Sequence, residues 1–180
     1  MTVPVFVDVD GVINAGLDSD CDRDHWPADT WRTEHVWNAD HHTAYSIVWS
    51  TCVIDRLRAI EARGDVEMIW STTWETRARS ALAPLIGIGH HWKVITEFVP
   101  VDARVLDWWK ATHVHLALHA HDRVVWIDDD INAWTSTLTS LGRNDEWEWT
   151  LDERLCCICP QTRHGLSPAD LDLIERFLNS

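Results

Sequence analysis

The sequence predicts an α/β protein with a mostly parallel sheet, of the Rossmann-like three-layer α/β/α type. Beyond residue 50, short apolar runs alternate with segments of helical character, which is the pattern of repeated strand–helix–strand units. The chain has 180 residues, of which 46% are apolar, and it contains neither internal repeats nor low-complexity segments. We therefore predict a single domain over residues 1–180.

Four apolar runs are predicted to form the strands of the sheet, because each is short, rich in β-branched or aromatic residues, and followed by polar or turn-forming residues. They are residues 3–9, 66–70, 124–127 and 155–159. The stretch from His90 to Pro100 is ambiguous, and a further strand is expected there near 94–96 or 98–99.

Helices are predicted between these strands and after the last one. Gly64 ends the first of them, and Ser167 and Pro168 form the N-cap and first position of the last. The predicted helices are residues 51–63, 75–85, 102–120, 131–141 and 167–178. Residues 143–152 are expected to form a polar loop.

Residues 14–50 are predicted to be an insertion made of a loop and a β-hairpin, or flap. Residues 14–29 are polar and rich in Asp, and strand-like stretches between 31 and 49 flank the polar tract NADHHT. The insertion has no room for a full helical cap, so we predict no large cap and an open site. Three histidines of this insertion either line a substrate entrance or decorate the flap, namely His25, His41 and His42.

Charge and composition exclude several functional classes. The formal net charge of −14 opposes nonspecific binding to nucleic acid or anionic lipid, and no apolar run approaches the roughly 20 residues of a membrane span. The odd number of cysteines, five, is typical of reduced thiols rather than of a disulfide framework. With no basic stretch before the first apolar run, we expect a cytoplasmic protein without a membrane partner.

Polar side chains follow three of the predicted strands, where ligands bind in open parallel sheets. They are Asp8 and Asp10, then Ser71, Thr72 and Thr73, then Asp128, Asp129 and Asp130. Converging carboxylates repel one another unless a cation is present, and carboxylate oxygens suit Mg²⁺. We therefore predict a Mg²⁺ site formed by Asp8, Asp10, Asp128 and Asp129, with the choice among residues 128–130 left open.

A metal site of this kind leaves chemistry for the remaining groups. Asp8 is placed to attack phosphorus and form an aspartyl-phosphate, and Asp10 to protonate the leaving oxygen and then activate water. The backbone carbonyl of Asp10 is a further candidate metal ligand. The Thr72 hydroxyl suits a phosphate oxygen, although it also suits a cap of the following helix. A lysine is expected to offset the negative charge, and the chain has only Lys93 and Lys110.

The segments DVDGV, WSTTW and WIDDD, with Lys110 between the last two, resemble in type and order the four motifs of the haloacid dehalogenase-like superfamily. The chain is most similar to small actinobacterial and phage proteins of that superfamily, including their final GL-S/T segment, here at residues 165–167. The resemblance implies a Rossmann-like fold, Mg²⁺ and Asp8 as nucleophile. It favours Lys110 over Lys93, because Lys110 lies on the predicted helix just before the acidic strand. Phosphate is expected to contact Gly11, Thr72, Thr73 and Lys110.

These expectations define a Mg²⁺-dependent phosphatase. The resemblance associates the second aspartate, Asp10, with phosphoryl transfer rather than dehalogenation. An open site suits a nucleotide or the phosphorylated end of a polynucleotide, unless oligomerisation closes it. Four tryptophans near the site are candidates for stacking on a base, namely Trp26, Trp31, Trp37 and Trp74. The alternative is a noncatalytic module of the same fold that binds a phosphorylated ligand.

Overall fold

The computed structural model describes residues 2–16, 21–38, 43–98 and 106–180, and in this part of the chain seven strands and five α-helices are found. The strands are β1 (Val3–Val7), β2 (Trp31–Asn38), β3 (Thr43–Ser50), β4 (Val66–Trp70), β5 (Lys93–Val94), β6 (Val124–Ile127) and β7 (Leu155–Ile158). The helices are α1 (Thr51–Glu61), α2 (Ala83–Ile86), α3 (Trp109–Ala120), α4 (Ile131–Ser140) and α5 (Pro168–Asn179).

Five of the strands form one sheet in the order β5-β4-β1-β6-β7, and every neighbouring pair in it is parallel. The predicted mixed α/β class with a parallel sheet is therefore confirmed. Strand order reverses at β1, because successive strands are added first on its β4 side and then on its β6 side. Such a reversal leaves a crevice beyond the carboxyl ends of the strands on either side of it.

The residues of β1 alternate between two apolar clusters, as expected for a strand with a two-residue side-chain period. Val5 and Val7 are fully buried and belong to one cluster, to which Leu57 of α1 and Leu171 of α5 also contribute. Phe6 belongs to the second cluster, which includes several residues of α3. The central strand is thus covered by apolar side chains on both of its faces.

The predicted hairpin is confirmed. Strands β2 and β3 pair antiparallel in a separate two-stranded sheet, with Val36 opposite Tyr45. Val36, Ile47 and Trp49 join the same cluster as Val5, so the hairpin is packed against the main sheet's core. Its tip, residues 39–42, lies outside the described residues, and with it the predicted role of His41 and His42.

Several predicted element bounds differ from the structure by one or more residues. Strand β1 ends at Val7 rather than at residue 9, because the carbonyl of Val9 accepts the N–H groups of Ile13 and Asn14 and closes a turn. Strand β7 ends at Ile158, one residue before the predicted end. The predicted helix 75–85 contains a π-helical segment, Ala78–Leu82, before α2.

Helix α3 begins at Trp109, so the helix predicted from residue 102 is wrong at residues 106–108. Trp108 is extended (φ −98°, ψ 115°), and the Thr112 hydroxyl accepts the N–H of Leu106 at 3.3 Å. The chain before the helix is therefore tied to the helix's first turn instead of extending it. None of the helices among the described residues is long and apolar enough to cross a membrane.

Helix α5 has the predicted N-terminus. The Ser167 hydroxyl accepts the N–H of Asp170, and the Asp170 carboxylate accepts the N–H of Ser167 at 2.9 Å, which forms a complete capping box. We expect Ser167→Ala to lower the free energy of unfolding by about 1 kcal/mol, measured by urea denaturation. Ser136→Ala, an exposed position of α4, is the control and should stay within about 0.5 kcal/mol of the wild type. Equal losses in the two variants would contradict the capping role.

Candidate active site

The carboxyl ends of β1, β4 and β6 meet at one edge of the sheet, because these three strands are neighbours. The backbone hydrogen bonds of the sheet continue one residue beyond each strand. Asp8 donates its N–H to Ile127 at 3.0 Å, and Asp128 donates its N–H to Ile158 at 3.0 Å. The sheet itself therefore fixes the positions from which the two aspartate side chains project.

Lys110 lies between the two aspartates. Its ammonium Nζ donates to Asp8 Oδ2 at 2.7 Å and to Asp128 Oδ2 at 2.8 Å, and all three residues are buried, with at most 6% of their surface exposed. Lys93, the other candidate, is exposed and pairs with Glu67 at 2.6 Å. Of the two lysines, the structure places Lys110 at the site.

Burial and mutual repulsion act on the protonation of this cluster. Burial raises the pKa of Asp8 and outweighs the opposing effect of Lys110. Burial and the nearby charge of Asp8 raise the pKa of Asp128 to about 7. Burial alone would lower the pKa of Lys110, but the two carboxylates raise it. One ammonium therefore does not fully compensate the carboxylates around it, which is a setting that favours a further cation.

Three carboxylates lie close enough to hold a metal ion. Oxygens of Asp8, Asp128 and Asp129 all lie within 4.8 Å of one another, and these residues form the one such group found among the described residues. Thr162 holds Asp129 in place by donating its hydroxyl to Oδ2 at 2.6 Å. The side chain of Asp130 is exposed. The backbone N–H of Asp130 donates a hydrogen bond to Asp128 Oδ1 at 3.1 Å.

Asp10 is not part of this group of three carboxylates, although it lies only two residues from Asp8. The indole N–H of Trp74 donates to its Oδ2 at 2.8 Å, and the amide of Asn14 donates to its Oδ1 at 2.9 Å. Asn14 also accepts the N–H of Val48 at 2.8 Å, which links Asp10 to strand β3 of the hairpin. The metal-ligand role predicted for Asp10 stays a prediction, and its carboxylate is held as a separate group.

The threonines after β4 differ in exposure. Thr72 is fully buried, and its hydroxyl is close enough to Asp8 to act against the rise in the pKa of that carboxyl. The same hydroxyl accepts the N–H of Trp74 at 3.3 Å. It therefore contacts the predicted nucleophile and also stabilises the turn after the strand. Thr73 is exposed. Ser71 is fully buried, and its hydroxyl has no hydrogen-bond partner within the described residues.

Gly11 is required by its backbone conformation and by its neighbour. Its φ is +71°, which disfavours residues with a side chain, and a Cβ built there would overlap the carboxylate of Asp129. Gly11 thus allows the turn after β1 to pass directly against the carboxylate of Asp129. Its predicted contact with phosphate stays a prediction.

The four tryptophans proposed for stacking are placed differently. Trp31 and Trp74 are at most 9% exposed, and Trp26 donates its indole N–H to the carbonyl of Leu166. Trp37 is 62% exposed. Only Trp37 of this set therefore presents most of its ring to solvent. His25 packs against His164 and Trp31, with ring centroids 5.5 Å apart in both pairs.

Two residues that support the site were not predicted, namely Asn14 and Thr162. Both hold an aspartate of the site from a loop, and neither lies in a recognisable motif. The pairing of Asn14 with Val48 joins residues 34 positions apart, and that of Thr162 with Asp129 joins residues 33 apart. No local pattern of the sequence signals these two contacts. The bond of Asn14 to Asp10 spans only four residues, but it depends on the turn after β1, which was not predicted from the sequence.

Comparisons of the chain with protein-family models, with curated proteins and with solved structures found no match. The function is therefore argued from the geometry of the site.

The fit between Gly11 and Asp129 yields a matched pair of variants. Gly142 has φ +70°, like Gly11, but nothing lies within 4 Å of a Cβ built there. We expect both Gly11→Ala and Gly142→Ala to lose about 1 kcal/mol of stability through backbone strain. Only Gly11→Ala should also lose the thermal stabilisation by Mg²⁺, because it displaces Asp129. Unchanged Mg²⁺ stabilisation in Gly11→Ala would remove Asp129 from the metal site.

The raised pKa values predict how stabilisation by Mg²⁺ depends on pH. Asp128, with a pKa of about 7 against 3.8 for an ordinary Asp, contributes stability below about pH 4 that is lost as the pH rises through 7. Mg²⁺ binds the deprotonated carboxylates, so its effect should grow over this same range. We expect saturating Mg²⁺ to raise the Tm by about 5–10 °C at about pH 8, and by much less at about pH 5.5. Melting curves in MgCl2 and in EDTA measure this, and an equal shift at both pH values would contradict it.

Proposed function

We propose that the protein is a Mg²⁺-dependent phosphatase that hydrolyses phosphomonoesters through an aspartyl-phosphate intermediate. The observation that carries the proposal is the buried Lys110 ammonium, which lies within 2.8 Å of both Asp8 and Asp128. A carboxylate nucleophile and a phosphoryl group are both negative, so their approach needs fixed positive charge at this point. Thr72 adds a hydroxyl next to the same carboxylate.

The proposal includes the fold class implied by the motifs, a haloacid dehalogenase-like three-layer α/β/α sandwich in a single domain over residues 1–180. The strand order supports it, since ligands bind in such sheets where the order reverses, which is where Asp8 lies. The two apolar clusters to which alternate residues of β1 belong support helices on both faces of the sheet. Within the described part of residues 14–50, the strands form a single two-stranded hairpin, which supports the proposal that this insertion is a flap rather than a large cap.

In the first step, an Asp8 oxygen attacks phosphorus, an oxygen–phosphorus bond forms, and the bond between phosphorus and the leaving oxygen breaks. Asp10 gives its proton to that leaving oxygen. The carboxylate of Asp10 then takes a proton from water, whose oxygen attacks phosphorus and releases phosphate from Asp8. Asp8 and Asp10 are thereby returned to their starting states.

Lys110 and Thr72 act on the electrostatics of these steps. Lys110 offsets the charge of Asp8 and of the phosphoryl oxygens, and Thr72 donates a hydrogen bond at the same point. Asp8, Asp128 and Asp129 would hold Mg²⁺, which would supply positive charge near the phosphoryl oxygens. The donor set fits this ion because it consists of carboxylate oxygens.

The substrate class follows from the shape and charge around the site. The predicted lack of a large cap is compatible with a phosphorylated small molecule or the terminal phosphate of a nucleic acid, whereas the net charge of −14 opposes an extended nucleic-acid track. We place the activity in the cytoplasm, where the thiols of Cys156, Cys157 and Cys159 stay reduced.

The nucleophile is tested with p-nitrophenyl phosphate and MgCl2. We expect Asp8→Asn to lower kcat by at least about a thousandfold, because the amide does not form the phosphoryl intermediate. Asp122→Asn is the control, since Asp122 is an exposed aspartate at the opposite end of β6 and should keep wild-type kcat. Circular dichroism checks that both variants fold.

The same experiment addresses the noncatalytic alternative. A folded wild type with no turnover across pH and divalent metals would favour a module that binds a phosphorylated ligand. Turnover that persists in Asp8→Asn would instead remove Asp8 as the nucleophile while leaving the enzyme class intact.

A further inference from the structure

A cavity of about 160 Å³ opens beside Asp10, between the hairpin and the segment that follows β4. Asp10 and Trp74 lie in its lining, and the indole N–H of Trp74 donates to the Asp10 carboxylate at 2.8 Å. The cavity is thus built around the group that, in the proposed reaction, protonates the leaving oxygen. Whatever is attached to that oxygen has to occupy the space next to Asp10.

The walls of the cavity are largely aromatic. Tyr45 and Trp74 lie with their ring centroids 5.9 Å apart, and Trp37 and Val36 line the hairpin side. Trp74 and Val36 are at most 9% exposed and form the fixed part of the wall, whereas Trp37 is 62% and Tyr45 is 41% exposed. Two large aromatic side chains are therefore kept in contact with water at the cavity, which costs free energy unless a ligand covers them.

The volume limits the ligand. At roughly 30 Å³ per water molecule, 160 Å³ holds about five waters, which is the space of one ring with its substituents and not of a longer chain. Arg77 also lines the cavity and brings a guanidinium, whose N–H groups suit the carbonyl oxygens or ring nitrogens of a heterocycle. Aromatic walls with one such polar group are typical of sites that hold a planar heterocyclic ring.

We propose that this cavity binds the base of a nucleoside monophosphate whose phosphate is hydrolysed at Asp8. The proposal rests on the proposed phosphatase activity and adds to it the substrate class and the residue that selects it. Trp37 covers one side of the base, and the ring edge faces Arg77. The sugar then spans the distance to the phosphate and brings the leaving oxygen next to Asp10.

The test compares substrates that differ only in the base. Adenosine 5′-monophosphate and cytidine 5′-monophosphate carry the ring, and ribose 5-phosphate carries the same phosphate without it. We expect kcat/KM for the better nucleotide to exceed that for ribose 5-phosphate by at least about tenfold. Trp37→Ala should remove most of this preference, so that the ratio of kcat/KM for the nucleotide to kcat/KM for ribose 5-phosphate falls toward one.

Leu151→Ala is the matched control variant. Leu151 is 73% exposed, precedes β7 at the opposite edge of the sheet, and lines no part of the cavity. It should keep the full preference for the nucleotide. A preference that survives in Trp37→Ala, or one that is absent from the wild type while ribose 5-phosphate is hydrolysed, would overturn the base site and leave the phosphatase proposal standing.

A binding measurement separates failure of the base site from failure of the enzyme. If none of the compounds is hydrolysed, calorimetric titration of the wild type still reports whether the nucleotide binds at least about tenfold more tightly than ribose 5-phosphate. A loss of that difference in Trp37→Ala supports the base site without catalysis, and equal affinities overturn it. An oligonucleotide with a 5′-phosphate, tested in parallel, distinguishes a polynucleotide end from the free nucleotide.

Discussion

The structure of the site depends on one interaction, the pairing of the Lys110 ammonium with Asp8 and Asp128. The two carboxylates are placed by neighbouring strands and are almost fully buried. Without the ammonium, two buried negative charges would face each other, at a cost of several kcal/mol. Lys110 is the second residue of helix α3, and the rings of Trp108 and Trp109 lie within about 6 Å of its ammonium. The way α3 begins therefore matters more for the site than the rest of its length.

The sequence predicted those parts of the site that depend on local residue patterns, and it failed where contacts between distant or irregular segments decide the structure. The three strand ends with acidic or hydroxyl side chains were predictable, because both the strand-forming residues and the turn-forming residues after them are local features of the sequence. Their convergence was predictable because neighbouring parallel strands bring their carboxyl ends to one edge of the sheet. The first turn of α3 was predicted seven residues too early. Its start is set by the bond between Thr112 and the backbone of Leu106, which competes with helix formation and has no clear local signal.

Side-chain partners beyond the strand ends were predicted less completely. Lys110 was expected at the site, a choice that was simple because the chain has only two lysines. The structure places Lys110 there. Thr162 was missed because it acts on Asp129 through a contact 33 residues away. Asn14 was missed because neither its bond to Asp10, four residues before it, nor its bond to Val48 belongs to a recognisable motif. The resemblance named residues that touch phosphate and metal, whereas these two hold such residues in place. Their identity depends on how loops of this particular chain pack.

The same loops give Asp8 and Asp10 different environments although the two are chemically alike. Asp8 is 6% exposed and bound to Lys110 and the N–H of Val9, so its surroundings are charged and dry. Asp10 is exposed and is held by two neutral donors, the indole of Trp74 and the amide of Asn14. Asp8 therefore has a fixed positive charge beside it, whereas Asp10 is held only by neutral hydrogen-bond donors and is in contact with water. Because Asn14 also binds strand β3 and Trp74 contacts Tyr45, the position of Asp10 is coupled to the hairpin. A ligand that moved the hairpin would therefore also move Asp10, so that in the proposed reaction the choice of substrate and the orientation of the proposed proton donor depend on the same contacts.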